Sequence, residues 1–240
     1  MRLLARLVSI AALLAGALSL TACGDDGGGA GRGAVDYGPP ARTQTAPATP
    51  DPRFDGALWP DPAVATEDAT PAQVARSFVE DFVGMPDPAF GTFQQGDARS
   101  GEIQMVLVGE DGRPREDSVL ATIALRQLDG TRWFVIAATG DDVQIDSPKL
   151  LDEIASPVAI AGTGRGFEGN LVVSVRAAFQ REPLVEAGAH AGTTKLGPFS
   201  AKLAFDRPAA TTGAIVVRDG GGLDGVSNAF AAVPVRFAAG

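Results

Sequence analysis

The sequence predicts a small α+β domain, with one helix on a small antiparallel sheet, followed by an all-β sandwich. Apolar residues recur at helical spacing in one stretch only, residues 71–83. Later segments alternate apolar and polar residues with a period of two and are separated by turn residues, which is typical of antiparallel strands. A chain of 240 residues is long enough for two small domains behind an N-terminal leader.

The first 22 residues have the features of a secretory signal peptide. Arg2 and Arg6 give a short basic start, and Leu7 to Leu20 are apolar or small apart from two serines. This apolar run is too short to span a bilayer as a permanent helix. We therefore expect residues 1–22 to be removed from the mature protein.

The signal ends in Leu20-Thr21-Ala22-Cys23, which resembles the lipobox of bacterial lipoproteins. The resemblance implies that the Cys23 thiol receives a diacylglycerol and that cleavage occurs before it. Cys23 is the only cysteine, so it can form no intramolecular disulfide. Each buried lipid CH₂ contributes about 0.8 kcal/mol, so two or three acyl chains would hold the protein firmly on a membrane. We predict lipidation at Cys23 and a protein anchored in the cell membrane on its extracytoplasmic side.

The net charge argues against nucleic acid as a partner. The full chain has a formal charge of −9, and loss of the signal, which holds two arginines and no acid, makes it −11. An acidic protein repels phosphate backbones. The membrane contact is therefore expected through the lipid on Cys23.

Residues 23–69 are predicted to be the lipidated cysteine and a disordered tether. From Gly24 to Ala69, 15 of 46 residues are Gly or Pro, and no apolar period is sustained. The exception is Phe54 to Pro60, FDGALWP, which contains three large apolar side chains whose exposure to water is unfavourable. We favour docking of these side chains on the following domain over a role as ligand-binding aromatics.

Residues 70–148 form the predicted α+β domain. Thr70-Pro71 is typical of a helix N-cap and first helical residue, and Val74, Phe78 and Phe82 follow at spacings of four, which predicts a helix over 71–83. After a loop at 84–101, three apolar–polar alternations predict three strands, joined by the turns EDGRP and LDGT. The strand residues on the predicted core face are Ile103, Met105, Leu107, Val119, Ala121, Ile123, Leu125, Trp133, Val135 and Ala137.

Residues 149–240 form the predicted β-sandwich, because short alternating segments are separated there by turn-forming sequences such as DRPAATTG and DGGGLDG. Further strands are expected at Ile215–Val217 and Val233–Phe237. Pro234 cannot donate to a ladder, so its strand should lie at an edge or present that position away from a neighbour. The expected inward residues are Leu171, Val173, Val175, Phe199, Ala201, Leu203 and Phe205, and the outward ones are Ser174, Arg176, Ser200 and Lys202.

The stretch GTGRGFEGNLVV contains G-x-G-x-x-G in Gly164, Gly166 and Gly169. A dinucleotide site needs a helix directly after the glycines, because the pyrophosphate binds the amides at its N-terminus. Here a valine-rich segment with period two follows, which predicts a strand. We therefore expect a turn between two strands, with Phe167 as its core anchor, and no nucleotide cofactor.

The C-terminal region resembles the immunoglobulin-like domain of bacterial spore germination, a β-sandwich often found beside the GerMN domain. The resemblance covers about residues 150–238, and residues 70–148 do not show the GerMN pattern. It implies an immunoglobulin-like sandwich of secreted or lipid-anchored bacterial proteins with no assigned catalytic residues. The residues that carry it are Ser156-Pro157, Gly162, Phe167-Glu168-Gly169, Phe199, Leu203 to Phe205 and Val233 to Phe237.

Catalytic and metal-binding patterns are not evident. His190 is the only histidine, no G-x-S-x-G elbow accompanies it, and we interpret it as an exposed loop residue. The acidic clusters lack calcium-loop spacing and are interpreted as solvated turns. We predict no catalytic residues, cofactor or metal. The clustered acids are Glu110, Asp111, Glu116, Asp117, Asp141, Asp142, Asp146, Asp219 and Asp224.

These features favour a non-enzymatic, lipid-anchored protein of the bacterial cell envelope whose sandwich binds another envelope protein or a cell-wall component. The alternative is an envelope hydrolase or sugar-processing enzyme with a site in or beside 70–148. A deep pocket lined by two or more carboxylates would favour the enzyme, and a shallow surface would count against it. A structural spacer is a third possibility.

Overall fold

A computed structural model describes residues 51–221 and 229–239. The predicted signal peptide, Cys23, the tether up to residue 50 and Asp224 lie outside the described residues. The described residues belong to one compact unit.

The described chain is mostly antiparallel β-structure with a single short α-helix, as the alternating patterns predicted. The helix α1 is Pro71–Ser77 and continues as a π-helical segment, Phe78–Val83. The strands are β1 Ala89–Phe90, β2 Gln94–Gln95, β3 Ser100–Val108, β4 Pro114–Gln127, β5 Trp133–Thr139, β6 Val143–Ser147, β7 Glu153–Ile154, β8 Val158–Gly164, β9 Asn170–Ala177, β10 Val185–His190, β11 Gly197–Leu203, β12 Thr212–Asp219 and β13 Phe230–Phe237.

The strands form two sheets. The large sheet has the order β1-β3-β4-β5-β13-β12-β9-β10, with β2 added on β3 and β7 on β13. The small sheet has the order β11-β8-β6. All pairs are antiparallel except β7 with β13. The small sheet covers the β9–β12–β13 side of the large sheet and so completes the predicted immunoglobulin-like sandwich.

The helix begins where the sequence predicted. The Thr70 side chain accepts a hydrogen bond from the Gln73 amide at 3.3 Å, and the Gln73 side chain accepts one from the Thr70 amide at 2.9 Å, which is a capping box. The helical segment ends at Gly84, which has φ 84° and leaves the helix through the left-handed region. The second half is π-helical, a detail that apolar spacing does not reveal.

The helical segment packs against the large sheet through aromatic rings. Phe78 and Phe82 stack with centroids 5.3 Å apart, and Phe78 lies 6.2 Å from Phe230 of β13. All three are fully buried. The helix therefore covers β13 as well as β3, β4 and β5, and its contacts reach across both predicted domains.

Strands β12 and β13 are buried on both faces. Ala214 and Val216 belong to the core under the helix, whereas Ile215 and Val217 belong to the sandwich core. Strand β5 adjoins β13 through Ala138 and Ala232, so the sheet runs continuously from the α+β part into the sandwich. The boundary predicted between residues 148 and 149 falls between β6 and β8, which pair with each other in the small sheet. Both predicted domains therefore contribute strands to that sheet.

Three local expectations differ from the structure. Ser174 and Arg176, expected outward, are buried because the helical layer covers that face of the large sheet. The predicted loop 84–101 contains β1 and β2, since both short segments pair with β3. Leu107, expected in the core, is 39% exposed. Strand β3 is bulged at that point, and the two-stranded end of β3 and β4 beyond the bulge, called here the β3–β4 ribbon, leaves the sheet.

Pro234 lies in a central strand rather than at an edge. As the alternative expectation required, it presents its missing N–H away from a neighbouring strand. It lies between the position where β5 pairs with β13 and the positions where β7 pairs with it. Its carbonyl accepts a hydrogen bond from the Leu151 amide at 2.8 Å, so this side of the residue faces a loop. No ladder hydrogen bond is lost there, because no strand needs the missing N–H.

Residues 51–69, which were expected to belong to the disordered tether, are folded onto the rest of the described structure. Leu58 is fully buried and Trp59 is 8% exposed, which confirms the docking expected for FDGALWP. The Leu58 amide donates to Val135 at 2.8 Å and the Val135 amide donates to Trp59 at 2.7 Å, so the segment adds to β5 like a short strand. Burial of these two side chains offsets the cost of ordering a Pro-rich segment.

Candidate functional site

An open cavity of about 640 Å³ lies at one end of the sandwich. It lies between the docked N-terminal segment, the β9–β10 loop and the β11–β12 loop. Its volume is in the range of small-ligand sites, and most of its lining is apolar. The lining residues are Asp51, Pro52, Phe54, Asp55, Asp61, Pro62, Ala63, Ala178, Phe179, Ala209, Ala210, Thr211 and Thr212.

The docked segment forms one wall of this cavity. Phe54 is half-buried and packs on Phe134 of β5 with ring centroids 5.0 Å apart. The Ala57 amide donates to the Phe54 carbonyl at 3.0 Å, which closes a turn and fixes the Phe54 ring at the rim. Further along the same segment, the buried side chains of Leu58 and Trp59 also anchor this wall.

Phe179 forms part of the opposite wall in a strained conformation. Its φ is 66°, in the left-handed region that bulky residues rarely occupy. The Phe179 amide donates to the Leu58 carbonyl at 3.0 Å, so the docked segment holds this backbone in place. Strain of this kind persists only where surrounding contacts enforce it. The hydrogen bond therefore couples the two walls of the cavity.

Every ionisable residue of the lining is an aspartate. The Arg53 side chain donates to Asp51 at 2.9 Å and 3.1 Å, and this hydrogen bonding lowers the pKa of Asp51. Arg236 donates to Asp55 from its Nε at 3.4 Å, and the pair raises the pKa of Arg236. Neither arginine lines the cavity. Their guanidinium groups therefore contact the two carboxylates from outside the lining.

Asp61 differs from the other two aspartates. Its carboxylate accepts a hydrogen bond from the Ala63 amide at 2.8 Å. Within residues 51–221 and 229–239, no arginine or lysine lies within ion-pair distance of it. The cavity thus presents one carboxylate that has a local hydrogen bond and no cationic partner.

This arrangement is suited to binding a cation more than to proton transfer. A general acid needs a carboxyl group whose pKa is raised, usually by an apolar enclosure. The pKa of Asp51 is shifted in the opposite direction, and Asp55 is tied to a guanidinium. No residue of 70–148 lines the cavity, but Phe54 of its wall packs on Phe134, so the cavity lies beside that region, where the site of the alternative enzyme was also expected.

The glycine-rich turn lies at the other end of the sandwich. Strand β8 ends at Gly164 and β9 begins at Asn170, so a strand follows the glycines as predicted. Phe167, expected as a core anchor, is 45% exposed, and this expectation was wrong. The turn is held instead by its backbone, since the Gly166 amide donates to Gly192 at 3.1 Å and the Ala191 amide donates to Gly169 at 2.8 Å.

Gly162 is the glycine of this region with the clearest steric need. A Cβ there would lie 2.1 Å from the Gln144 carbonyl oxygen and 2.7 Å from the Phe199 ring. The missing side chain lets β6 and the Phe199 ring approach β8 on the two sides of this position. The sequence pattern flagged the glycine-rich stretch, but the packing explains it.

The remaining candidate residues lie on the surface or in turns, with the exception of Asp219. Asp219 was expected in a solvated turn, but it ends β12, is 7% exposed and accepts a hydrogen bond from the Gly221 amide at 3.0 Å. His190 is exposed, as expected, but it ends β10 instead of lying in a loop. Asp142 is held by Arg165 at 2.7 Å, across the β5–β6 and β8–β9 connections. Glu110, Asp111, Glu116 and Asp117 are exposed along the β3–β4 ribbon. No group of three metal-ligating side chains occurs among the residues that the structure describes.

A family model described as the immunoglobulin-like domain of bacterial spore germination matches residues 142–225. The match starts one residue before β6 and covers the small sheet together with β9, β10 and β12. This part of the chain is therefore similar to that domain, in agreement with the resemblance found in the sequence. Neither the curated proteins nor the solved structures gave a match.

In the described ranges, 51–221 and 229–239, no helix has the length and apolar character needed to cross a membrane.

The cavity itself was missed by sequence reasoning. Its lining comes from three segments that are distant in the chain, and its two phenylalanines have no common spacing. The one available signal was FDGALWP, whose aromatic residues stood out in a Pro-rich context.

Proposed function

We propose that this protein is a lipid-anchored binding protein of the bacterial cell envelope, facing the extracytoplasmic side. Its immunoglobulin-like part and the docked N-terminal segment together recognise an envelope protein or a cell-wall component without catalysis. The observation that carries the proposal is the open cavity at the end of the sandwich, whose lining combines apolar side chains with three aspartates. The lipobox around Cys23 supports the anchoring.

The position of the cavity supports a binding role. Immunoglobulin-like domains commonly use the loops at one end of the sandwich for recognition. Here two loops of the sandwich and a segment from outside the matched region form one concave surface. Half-exposed aromatic rings supply contact area with little loss of side-chain freedom on binding.

One feature of the cavity favours the hydrolase alternative, and another argues against it. Three carboxylates line the cavity, which is more than the two that paired acid–base chemistry requires. The ionised state favoured for Asp51 leaves that carboxyl without the proton a general acid must donate. Binding therefore explains the site with fewer additional assumptions.

Site-specific crosslinking in living cells tests the binding role. A photoreactive residue with a small aliphatic diazirine side chain at Ala209, on the cavity wall, leaves the cavity open and should give defined adducts of the anchored protein. The same residue at Asp111, in the β3–β4 turn, serves as the control. Adducts at neither site, or equal adducts at both, would remove support for binding at the cavity.

The anchoring is tested by Cys23→Ala. Loss of the thiol removes the acceptor for the lipid, so the variant should leave the membrane fraction or accumulate with its signal uncleaved. Immunoblots of membrane and soluble fractions measure both outcomes. Normal cleavage together with unchanged membrane retention would contradict lipidation at Cys23.

A further inference from the structure

We infer that the cavity at the end of the sandwich binds a peptide segment in which a lysine side chain stands beside apolar residues. This inference rests on the proposed binding function and names the chemistry of the partner. It is carried by the apolar walls, by the exclusively acidic character of the ionisable lining, and by the carboxylate of Asp61.

The walls suit small and medium apolar groups. The apolar lining consists of Pro52, Phe54, Pro62 and Phe179 together with alanines, and about 640 Å³ accommodates a few side chains of a bound segment. Phe54 and Phe179 are both half-buried, so each offers part of its ring to a ligand. An apolar contact of this size alone would not choose between ligands of different charge.

The charges of the lining favour a cationic ligand over an anionic one. The three ionisable side chains of the lining are Asp51, Asp55 and Asp61, while Arg53 and Arg236 contact two of them from outside the lining. A cation that enters the cavity meets carboxylates and no guanidinium in its lining. An anion would meet repulsion from Asp61, whose charge no arginine compensates as Arg53 and Arg236 compensate those of Asp51 and Asp55.

Asp61 is the expected contact for the ligand's ammonium group. The carboxylates of Asp51 and Asp55 already accept hydrogen bonds from guanidinium groups, whereas Asp61 accepts one from a backbone amide. A carboxylate has about four lone-pair sites, so Asp61 keeps acceptor capacity for a ligand. Lysine fits this geometry because its ammonium is a compact charge on a flexible apolar stem.

The test uses the full chain, purified in detergent, and the capped pentapeptide ALKAA as the probe. Binding is measured by calorimetry. The matched probe carries acetyl-lysine in place of lysine, which keeps the length and removes the charge. We expect the acetylated probe to bind about tenfold more weakly, in line with the loss of one hydrogen bond to a charged group. Raising NaCl from about 0.05 M to about 0.5 M should weaken only the lysine probe.

Two variants test whether the lysine probe binds in the cavity and contacts Asp61. Asp61→Asn keeps an acceptor for the Ala63 amide and removes the charge, and it should weaken the lysine probe about tenfold. Ala209→Trp fills the cavity from an exposed position and should abolish binding of both probes. Asp117→Asn makes the same change of charge on the exposed β3–β4 ribbon and should have no effect. Melting temperatures of all variants show whether they fold.

The outcomes separate this inference from the proposed function. Equal affinity for the two probes, or equal effects of Asp61→Asn and Asp117→Asn, would overturn the lysine chemistry. Absence of binding by the lysine probe would do the same. If crosslinks at Ala209 still form in cells, the binding function stands with a ligand of different chemistry. If these crosslinks are also absent, both proposals fail.

Discussion

The guanidinium of Arg176, in β9, lies 5.6 Å from the ring centroid of Phe82, in the π-helical segment. Arg176 is 5% exposed, and its terminal nitrogen donates to the Arg181 carbonyl at 2.7 Å. Burial lowers the pKa of the guanidinium, while the Glu186 carboxylate, 4.0 Å away, acts in the opposite direction. The arginine joins the sandwich to the helical layer.

Arg176→Ala should therefore destabilise the protein. The change removes the contact with the Phe82 ring and leaves space between helix and sheet, so we expect a loss of about 2 kcal/mol or more in the free energy of unfolding. Arg176→Met, which retains most of the packing, should cost less. Urea denaturation measures both, with Arg113→Ala in the exposed turn as a control expected within about 0.5 kcal/mol of wild type. Equal stability of Arg176→Ala and the control would show that the junction does not depend on this residue.

Trp59 ties the docked segment to the helix, because its indole N–H donates to Oγ of Ser77 at 2.9 Å. Trp59→Phe removes this hydrogen bond and should cost about 1 kcal/mol, whereas Trp59→Ala should cost about 3–5 kcal/mol. Limited proteolysis of Trp59→Ala should also cleave within residues 51–69 faster than in wild type. Unchanged protection of that segment would mean that other contacts hold it.

Gly162→Ala should be among the most damaging single-methyl changes in the sandwich. Its Cβ would overlap the Gln144 carbonyl oxygen and the Phe199 ring, so we expect a loss of about 3 kcal/mol. Gly188→Ala in β10 is the matched control, since its Cβ would have only the Leu171 carbonyl oxygen, at 4.0 Å, as a neighbour. It should be neutral or slightly stabilising. Thermal denaturation compares the two, and similar melting temperatures would contradict the steric explanation.

Asp129 gives the protein a defined acid sensitivity. Burial tends to raise the pKa of Asp129, but hydrogen bonds from Arg132 and from the Thr131 amide outweigh it, and the net pKa is lowered. A lowered pKa means stability that is present above the ordinary aspartate value of about 3.9 and is lost as the pH falls through the folded-state value. Asp129→Asn should be less stable at pH 7 by about 1 kcal/mol and should lose less stability on acidification.

The pH dependence of unfolding, measured by urea titration between about pH 2 and pH 7, checks this prediction over the range in which aspartates titrate. Asp117→Asn, an exposed change of the same kind, serves as the control. A pH profile of Asp129→Asn that coincides with wild type would contradict a stabilising role for the ionised carboxylate.

Much of the local structure could be predicted because it depends on near neighbours in the chain. The Thr70 cap, the turns between β3, β4 and β5, and the strand after Gly169 follow from side-chain chemistry and from spacing. The exposure of Phe167 could not be predicted, since a large apolar residue near a turn is equally consistent with burial and exposure. The position of Arg176 was missed for a related reason, because alternation defines two faces of a strand without saying what covers the second face.

The sequence by itself determined the order of the elements, the all-β character of the C-terminal half and the resemblance of that half to a known domain. Its N-terminal residues also supply the basis for the proposed lipid anchor. Only the tertiary structure decided that β12 and β13 serve two cores, that FDGALWP joins β5, and that loops distant in the chain enclose a cavity. The physical reason is that hydrogen-bonded turns and caps are local, whereas burial depends on which surfaces meet, and that is settled only when the whole chain has packed.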